Sequence, residues 1–237
     1  MKSFKKFRLP IRRQCRQFLS SCYMYKYKIH SNRCVIQFQE VHEPLCSSMC
    51  ALSFLPSVSL SSSRAELSFI ANSVGSFRDY INTQAGHHNK FTYDDGMCLA
   101  TTIGNQIFHL ETRGYTLSWI DPRHIIVVDN KYFLYLGEEH VVKLTSRRTF
   151  FITKPIFMQE PLYLAPEYKR IRKLPAELPK SAVYYSLAAV IVHSLFPDKP
   201  IQEFHTNVVR PILDTKLYWM LIKCLNTEPS DRVCLII

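Results

Sequence analysis

Cysteine and histidine are the side chains of this sequence best suited to bind a metal ion, but their spacing does not match a zinc finger. No Cys-x-x-Cys pair occurs, and the only close pair, Cys46 and Cys50, has no second pair or histidine at finger spacing. A chain of 237 residues also needs no disulfide staples. We therefore expect no metal site, and reduced thiols in an intracellular, reducing compartment. The eight cysteines are Cys15, Cys22, Cys34, Cys46, Cys50, Cys98, Cys224 and Cys234.

Glycine placement excludes two common nucleotide-binding loops. Rossmann and P-loop motifs place glycines only a few residues apart, so that the backbone can approach a phosphate closely. The six glycines here are scattered, and the closest two, Gly96 and Gly104, are eight residues apart. Neither a Rossmann dinucleotide site nor a P-loop NTPase is compatible with this pattern.

Positive charge is concentrated near the N-terminus. The chain has a net charge of +11, and residues 1–39 hold ten of its 30 lysines and arginines with no acidic residue before Glu40. The other 20 basic residues and the 19 acidic residues nearly cancel. Residues 1–33 are therefore predicted to be a basic N-terminal extension, for which nucleic acid or an anionic membrane surface is one candidate partner. A solvated extension without a dedicated partner, or an Arg-rich transit peptide, is the alternative.

The N-terminal half of the chain combines helical and strand patterns. Residues 35–52 have a loosely helical pattern, and two strands around a polar turn are predicted within 55–71. The clearest element is an amphipathic helix over 93–113. Thr92 and Asp95 have the spacing of a capping box at its start, and apolar residues follow at intervals of three or four.

The C-terminal half is predicted to be mainly helical around one hairpin. Residues 125–128 and 132–136 are apolar and flank an Asp-Asn-Lys turn, which is typical of a β-hairpin. An irregular stretch is expected over 138–166. The apolar run near 182–196 is shorter than the ~20 residues that span a membrane, so it is predicted to be a buried helix and no transmembrane segment is expected. A last helix is expected to open at Asp214.

This order of elements predicts an α+β protein with a small N-terminal part and a larger helical part. Five short motifs accompany it: Gly75-Ser76-Phe77-Arg78-Asp79-Tyr80-Ile81, Pro122-Arg123-His124-Ile125, Leu164-Ala165-Pro166-Glu167, Tyr185-Ser186-Leu187-Ala188, and Cys224-Leu225 with Glu228-Pro229-Ser230-Asp231-Arg232. Together they resemble the C-terminal lobe of a eukaryotic-type protein kinase, in a form reminiscent of the kinase-like proteins of large DNA viruses.

The resemblance covers roughly residues 65–237 and implies a bilobal protein-kinase-like fold. It implies that the basic extension of 1–33 is followed by a reduced or divergent N-terminal lobe over 34–75. A mainly helical C-terminal lobe would then occupy 76–237.

The catalytic loop implied by the resemblance lacks its base. Aligned on Pro122, the family's catalytic aspartate falls on Trp119, which cannot accept a proton from a substrate hydroxyl. Asp121 is a weak candidate for a substitute base. The alternative is that Asp121 caps a turn before Pro122.

The magnesium positions implied by the resemblance are altered as well. His124 stands where the family has a magnesium-binding asparagine, and imidazole is a poor ligand for a hard cation. The metal-binding aspartate expected near Gly137 is missing, and Glu138 or Glu139 is the weak candidate to replace it. The aspartate that the family buries in its central helix is replaced at Val183.

Two further pairs follow from the resemblance. Lys28, or Lys26, is the weak candidate for the lysine that binds nucleotide phosphates, with Glu40 as its partner. Glu167 and Arg232 are expected to form a buried structural ion pair, because a buried carboxylate needs a cation beside it. The alternative for Arg232 is an exposed arginine near the terminus.

We therefore expect a kinase-like domain without kinase chemistry, a pseudokinase that serves as a binding or regulatory scaffold for a protein partner and needs no cofactor. The first alternative is a divergent active Ser/Thr protein kinase, which would use ATP and Mg²⁺. The second alternative is a protein that binds nucleic acid or a membrane surface through residues 1–33.

Overall fold

A four-stranded antiparallel sheet and one helix form the N-terminal part of the protein. The computed structural model describes residues 25–86, 90–154, 163–197 and 206–234. Helix α1 (Glu43–Cys50) buries Leu45 and Met49 in the same core as the sheet. The strands are β1 (Tyr25–His30), β2 (Arg33–Phe38), β3 (Ser59–Ser61) and β4 (Glu66–Ile70), in the spatial order β1-β2-β4-β3.

The start of this sheet differs from the sequence prediction. In β2 the side chains of Cys34, Ile36 and Phe38 are buried, which is the period of two of a strand. The loosely helical pattern over 35–52 is therefore helical only in its second half, because the window spans a strand and a helix. The segment predicted as a basic extension, 1–33, contributes β1 to the sheet from Tyr25 onward, and residues 1–24 lie outside the described residues.

The described C-terminal part is mainly helical. Its helices are α2 (Phe77–Gly86), α3 (Tyr93–Thr112), α4 (Pro166–Lys169), α5 (Ala182–Leu195) and α6 (Lys216–Cys224). The helix predicted over 93–113 is confirmed as α3. Its capping box is formed, since Asp95 N–H donates to the Thr92 hydroxyl over 3.2 Å and Thr92 N–H donates to the Asp95 carboxylate over 2.8 Å.

The last two helices match the prediction in position but not in every boundary. Helix α5 is buried on nearly all sides, as its apolar sequence predicts. The prediction that Asp214 opens the last helix is wrong by one residue, because the Thr215 hydroxyl accepts the Tyr218 N–H over 3.1 Å and caps α6. Asp214 has a φ of 63° and lies in the turn before the cap. Within the described ranges, no helix combines the length and apolarity required to cross a membrane.

Short antiparallel strands connect the helices in the described part of the chain. The stretch predicted to be irregular, 138–166, contains two of these strands, so that prediction is wrong for its first half. The strands are β5 (Val74–Ser76), β6 (Tyr115–Leu117), β7 (Ile125–Val128), β8 (Tyr132–Tyr135), β9 (Val141–Lys143), β10 (Thr149–Ile152) and β11 (Ala176–Pro179). They form a β5-β7-β8 sheet and the pairs β6-β9 and β10-β11.

The predicted hairpin is confirmed as β7–β8, and it lies between two hydrophobic cores. Both central turn residues, 129–130, have positive φ, as a tight hairpin turn requires. Val127 and Phe133 face the helical core, whereas Ile126 and Leu134 face the core of the N-terminal sheet. Because successive strand residues point to opposite faces, one hairpin packs against both parts of the molecule. The described residues therefore form an α+β fold with small antiparallel sheets.

The described cysteines are free thiols. Cys34 and Cys46 are fully buried, and this burial raises the pKa of both thiols to about 12. Both thiols therefore stay protonated at neutral pH, where only the thiolate would be a strong nucleophile or metal ligand. The compartment of the protein stays a prediction.

Candidate functional site

The residues at the predicted catalytic and magnesium positions lie on two short segments at the base of the β7–β8 hairpin. One is the loop 117–124, which leads into β7, and the other is the turn 138–140, which follows β8. Leu136 N–H donates to the His124 carbonyl over 2.9 Å, and Ser118 N–H donates to the His140 carbonyl over 2.7 Å. The fold thus brings these two segments side by side.

Trp119 occupies the interior of this site. Trp119 is 6% exposed, and the centroid of its ring lies 4.5 Å from that of the His140 ring. An indole offers one N–H donor and no basic atom at neutral pH. The position that the resemblance gives to a catalytic base therefore contributes packing rather than proton transfer.

Asp121 is a buried cap. Its side chain is 4% exposed, and one carboxylate oxygen accepts the Arg123 backbone N–H over 2.9 Å. Arg123 Nε lies 3.0 and 2.9 Å from the two carboxylate oxygens, and Arg123 Nη2 lies 2.5 Å from Oδ2. The predicted alternative, a cap on the turn that begins at Pro122, is confirmed. Service as a substitute base would require breaking this paired arrangement.

His124, Glu139 and His140 meet beside Trp119. Nε2 of His124 lies 2.8 Å from Oε1 of Glu139. Burial on its own would raise the pKa of Glu139, but the hydrogen bond and charge of His124 prevail and lower it to about 2. Burial lowers the pKa of His140 to about 4, and the Tyr135 hydroxyl hydrogen-bonds Nδ1 of this ring. The three residues combine two imidazoles and one carboxylate in a partly enclosed site.

Gly137 has no room for a side chain. A Cβ atom built there would lie 2.7 Å from the Tyr135 hydroxyl oxygen and 2.9 Å from Nδ1 of His140. These separations are shorter than ordinary van der Waals contacts, so an aspartate at this position would displace the Tyr135–His140 pair. The aspartate that the resemblance implies near this position would therefore not fit without such a rearrangement.

The other weak candidates for cofactor binding do not form the ion pair that the resemblance implies. Burial raises the pKa of Glu138, and the charges of Glu139 and Glu40 raise it further. Lys28 is exposed on β1, directly across from Val35 on β2, and Glu40 is exposed beyond the end of β2. Within the described ranges, the ion pairs join other partners, and none links Lys28 to Glu40.

Hydrogen bonds with side chains of two helices, α5 and α4, fix the loop 117–124. Ile120 N–H donates to the Ser186 hydroxyl over 2.8 Å, and both groups are buried. The Tyr168 hydroxyl of α4 donates to the carbonyl of Ser118. Val183, where the resemblance expects a buried aspartate, is apolar and fully buried, so the serine one turn further on supplies the acceptor instead.

Glu167 and Arg232 form the ion pair predicted from the sequence. Arg232 Nη1 lies 2.6 Å from Glu167 Oε1, and Nη2 lies 2.8 Å from Oε2, which is a bidentate pair. The arginine side chain is fully buried and that of the glutamate is 10% exposed. Arg232 also donates to the carbonyls of Asn226 and Thr227. The pair therefore ties α4 to the segment after α6.

Sequence reasoning missed His140, Tyr135 and the role of Ser186. The hairpin register is the signal that would have found the first two, because pairing Ile125 with Tyr135 sets residue 124 beside the turn at 138–140. Ser186 had no comparable local signal, since its partner lies 66 residues away in the sequence. Among known proteins, neither a family model nor a curated protein matches the chain.

Proposed function

We propose that the protein is a kinase-like domain without phosphoryl-transfer chemistry that acts as a binding or regulatory scaffold for a protein partner. The observation that carries the proposal is Trp119, buried against His140 at the position of the catalytic base. Phosphoryl transfer by a protein kinase needs a carboxylate there to orient the substrate hydroxyl. A buried indole cannot replace it.

Support for the kinase-like, bilobal fold comes from the contacts between distant motifs. The Glu167–Arg232 pair joins the Ala-Pro-Glu motif to the late Pro-x-x-Arg motif, as the resemblance implies. The Ser186–Ile120 hydrogen bond joins the central helix to the loop that corresponds to the catalytic loop. The N-terminal sheet with α1 would be the reduced lobe, and the helical part would be the larger lobe.

The residues at the cofactor positions do not fit ATP with Mg²⁺. Magnesium prefers oxygen ligands in near-octahedral geometry, whereas His124 supplies nitrogen and Gly137 has no room for a carboxylate. Lys28 and Glu40 are both exposed and do not form the ion pair that would position a lysine on the phosphates. We therefore expect neither nucleotide stabilisation nor phosphoryl transfer.

The test incubates the full chain with γ-labelled ATP and either Mg²⁺ or Mn²⁺, alone and with generic protein substrates. We expect no label on the chain or on the substrates, and no shift of the unfolding temperature with ATP and Mg²⁺. The control is Asp121→Asn, which removes the one acid in loop 117–124. Label that the wild type incorporates and this variant loses would refute the proposal and favour the divergent active kinase.

The charge distribution supports a second candidate function, binding of nucleic acid or an anionic membrane surface. Residues 1–39 carry ten of the 30 basic residues and no acid before Glu40, whereas the rest of the chain is nearly neutral. Such a segment attracts polyanions at low salt. This function is compatible with the scaffold.

A further inference from the structure

The side chains of His124, Glu139 and His140 form a cluster of possible metal ligands. One nitrogen or oxygen of each residue lies within 4.8 Å of the corresponding atoms of the other two. The cluster joins the loop before β7 to the turn after β8, and the hairpin register fixes the distance between those two segments. The Leu136 N–H donates to the His124 carbonyl over 2.9 Å and secures the base of the hairpin.

The chemistry of the donors indicates which cation would bind. Two imidazoles and one carboxylate suit a borderline divalent transition metal such as Zn²⁺, while Mg²⁺ and Ca²⁺ prefer oxygen ligands. Three protein ligands leave one tetrahedral position for water or for an atom of a partner. We propose that His124, Glu139 and His140 form a Zn²⁺ site.

The geometry is close to a zinc site but not yet closed around an ion. Zinc–ligand distances of about 2.0–2.2 Å put tetrahedral ligand atoms roughly 3.3–3.6 Å apart. Nε2 of His124 and Oε1 of Glu139 are already closer than this, at 2.8 Å, and a bound cation would replace their direct contact. The widest separation in the cluster, up to 4.8 Å, has to shorten. The side chain of Glu139 is 41% exposed, which leaves it free to move and gives an ion a path from solvent.

Groups behind the cluster orient the His140 ring. The Tyr135 hydroxyl hydrogen-bonds Nδ1 of His140, and the Trp119 ring packs against the same imidazole at 4.5 Å. Tyr135 is fully buried and also accepts the Asp121 N–H over 3.2 Å. Partners of this kind fix the rotamer of a metal-binding histidine and raise the affinity of the site. Trp119 and Tyr135 therefore hold His140 in an orientation that suits the proposed zinc ligands.

The inference goes beyond the proposed function and does not depend on it. A bound Zn²⁺ would link loop 117–124 to turn 138–140 by coordination bonds and so stiffen the site. An inactive scaffold and an active enzyme would both be compatible with such a link. Failure to bind Zn²⁺ would therefore leave the proposal of a scaffold unaffected.

The test uses the full chain, stripped of metal with a chelator that is then removed. Zn²⁺ is titrated by calorimetry in competition with a chromophoric chelator. We expect the wild type to bind Zn²⁺, and Glu139→Gln and His140→Gln each to weaken binding at least about tenfold, since both change ligands. The matched control is Glu138→Gln, which removes the same charge one residue away but no proposed ligand, so it should lower the affinity by much less than Glu139→Gln does.

A second measurement needs no variant and does not depend on whether a variant folds. Co²⁺ replaces Zn²⁺ in such sites, and its ligand-field absorption distinguishes tetrahedral from octahedral coordination. We expect the wild-type chain to give a tetrahedral spectrum that Zn²⁺ displaces. An octahedral spectrum, equal losses in Glu138→Gln and Glu139→Gln, or wild-type affinity in Glu139→Gln would overturn the proposal.

Discussion

Single buried polar groups determine the conformation of loop 117–124. A buried N–H without an acceptor is costly, and the Ser186 hydroxyl satisfies that of Ile120. A carboxylate at this position could also accept the hydrogen bond, but its charge would have to be desolvated. The neutral hydroxyl avoids that cost, and it provides no charge with which to orient a catalytic group. At the scale of residues, a neutral buried hydrogen bond therefore stabilises the loop.

The first prediction concerns this hydroxyl. Ser186→Ala should lower the free energy of unfolding by about 1–3 kcal/mol, because it leaves the buried Ile120 N–H without its acceptor. The measurement is urea unfolding followed by circular dichroism and by tryptophan fluorescence. Trp119, adjacent to Ile120, reports on the loop.

The same helix supplies the control for this prediction. The Ser194 hydroxyl donates to the Val190 carbonyl of its own helix over 2.8 Å. Its loss leaves no buried donor unsatisfied, so Ser194→Ala should change the stability by less than about 0.5 kcal/mol. Equal losses in the two variants would mean that the hydrogen bond to Ile120 contributes nothing specific.

At the scale of the elements, the buried ion pair of Glu167 and Arg232 gives the clearest prediction, because it joins α4 to the segment after α6. Arg232→Ala should cost roughly 3–5 kcal/mol, because the Glu167 carboxylate is then buried without its cation. The double variant Glu167→Gln with Arg232→Met should recover much of this loss, since no buried charge is left. Recovery will be incomplete, because Arg232 also donates to two backbone carbonyls. Urea unfolding of the single and double variants measures the coupling.

Arg170→Ala is the matched control, because Arg170 is an exposed arginine immediately after α4. Its stability should stay within about 1 kcal/mol of the wild type. If Glu167→Gln and Arg232→Ala instead had small and additive effects, the two residues would not act as partners. The proposed kinase-like fold would then lose the contact that supports it best.

The elements that could be predicted from the sequence are those with local signals. Helix α3 has a capping box and a long apolar period, and the β7–β8 hairpin has a turn sequence, so both were predicted nearly to their ends. Strand β1 was missed because its exposed lysines gave it the composition of the basic segment before it. Only its pairing with β2 makes it a strand. Strands β9 and β10 were missed for a different reason, since their partners lie far away in the sequence.

The candidate site shows the same division at the scale of the whole molecule. The Glu167–Arg232 pair could be predicted because the motifs around the two residues are short and continuous. The cluster of His124, Glu139 and His140 could not, since it exists only when the hairpin brings two turns together. Its chemistry therefore depends on tertiary structure rather than on a motif.

The distribution of charge along the chain does not follow the division of the fold into two hydrophobic cores. Residues 1–24 contain seven basic residues and no acid, and these are Lys2, Lys5, Lys6, Arg8, Arg12, Arg13 and Arg16. The boundary at residue 33 taken from composition would cut through the sheet, because β1 pairs with β2 along its whole length and Tyr25 is buried. A deletion that ends at residue 24 removes most of the excess charge and keeps the sheet.

The last prediction is that deleting residues 1–24 removes most binding to polyanions while the rest of the protein stays folded. Each cation that neutralises a phosphate contributes about 0.9 to the slope of log affinity against log salt. Retention on heparin and binding to duplex DNA should therefore weaken, and the slope of log affinity against log salt should become shallower by several units. A full-length variant with glutamine at the seven basic positions should behave like the deletion, since the loss is one of charge and not of chain length.

Unchanged elution of both variants would move the polyanion site to the folded part. The four exposed basic residues that follow Tyr168 would then be the candidates, and two of them, Arg172 and Lys173, line a cavity of about 400 Å³ with Lys154. Replacing Lys169, Arg170, Arg172 and Lys173 by glutamine separates the two possibilities. If the N-terminal charges dominate, this fourfold variant should retain nearly all of the salt dependence, because the charges outside residues 1–39 nearly cancel.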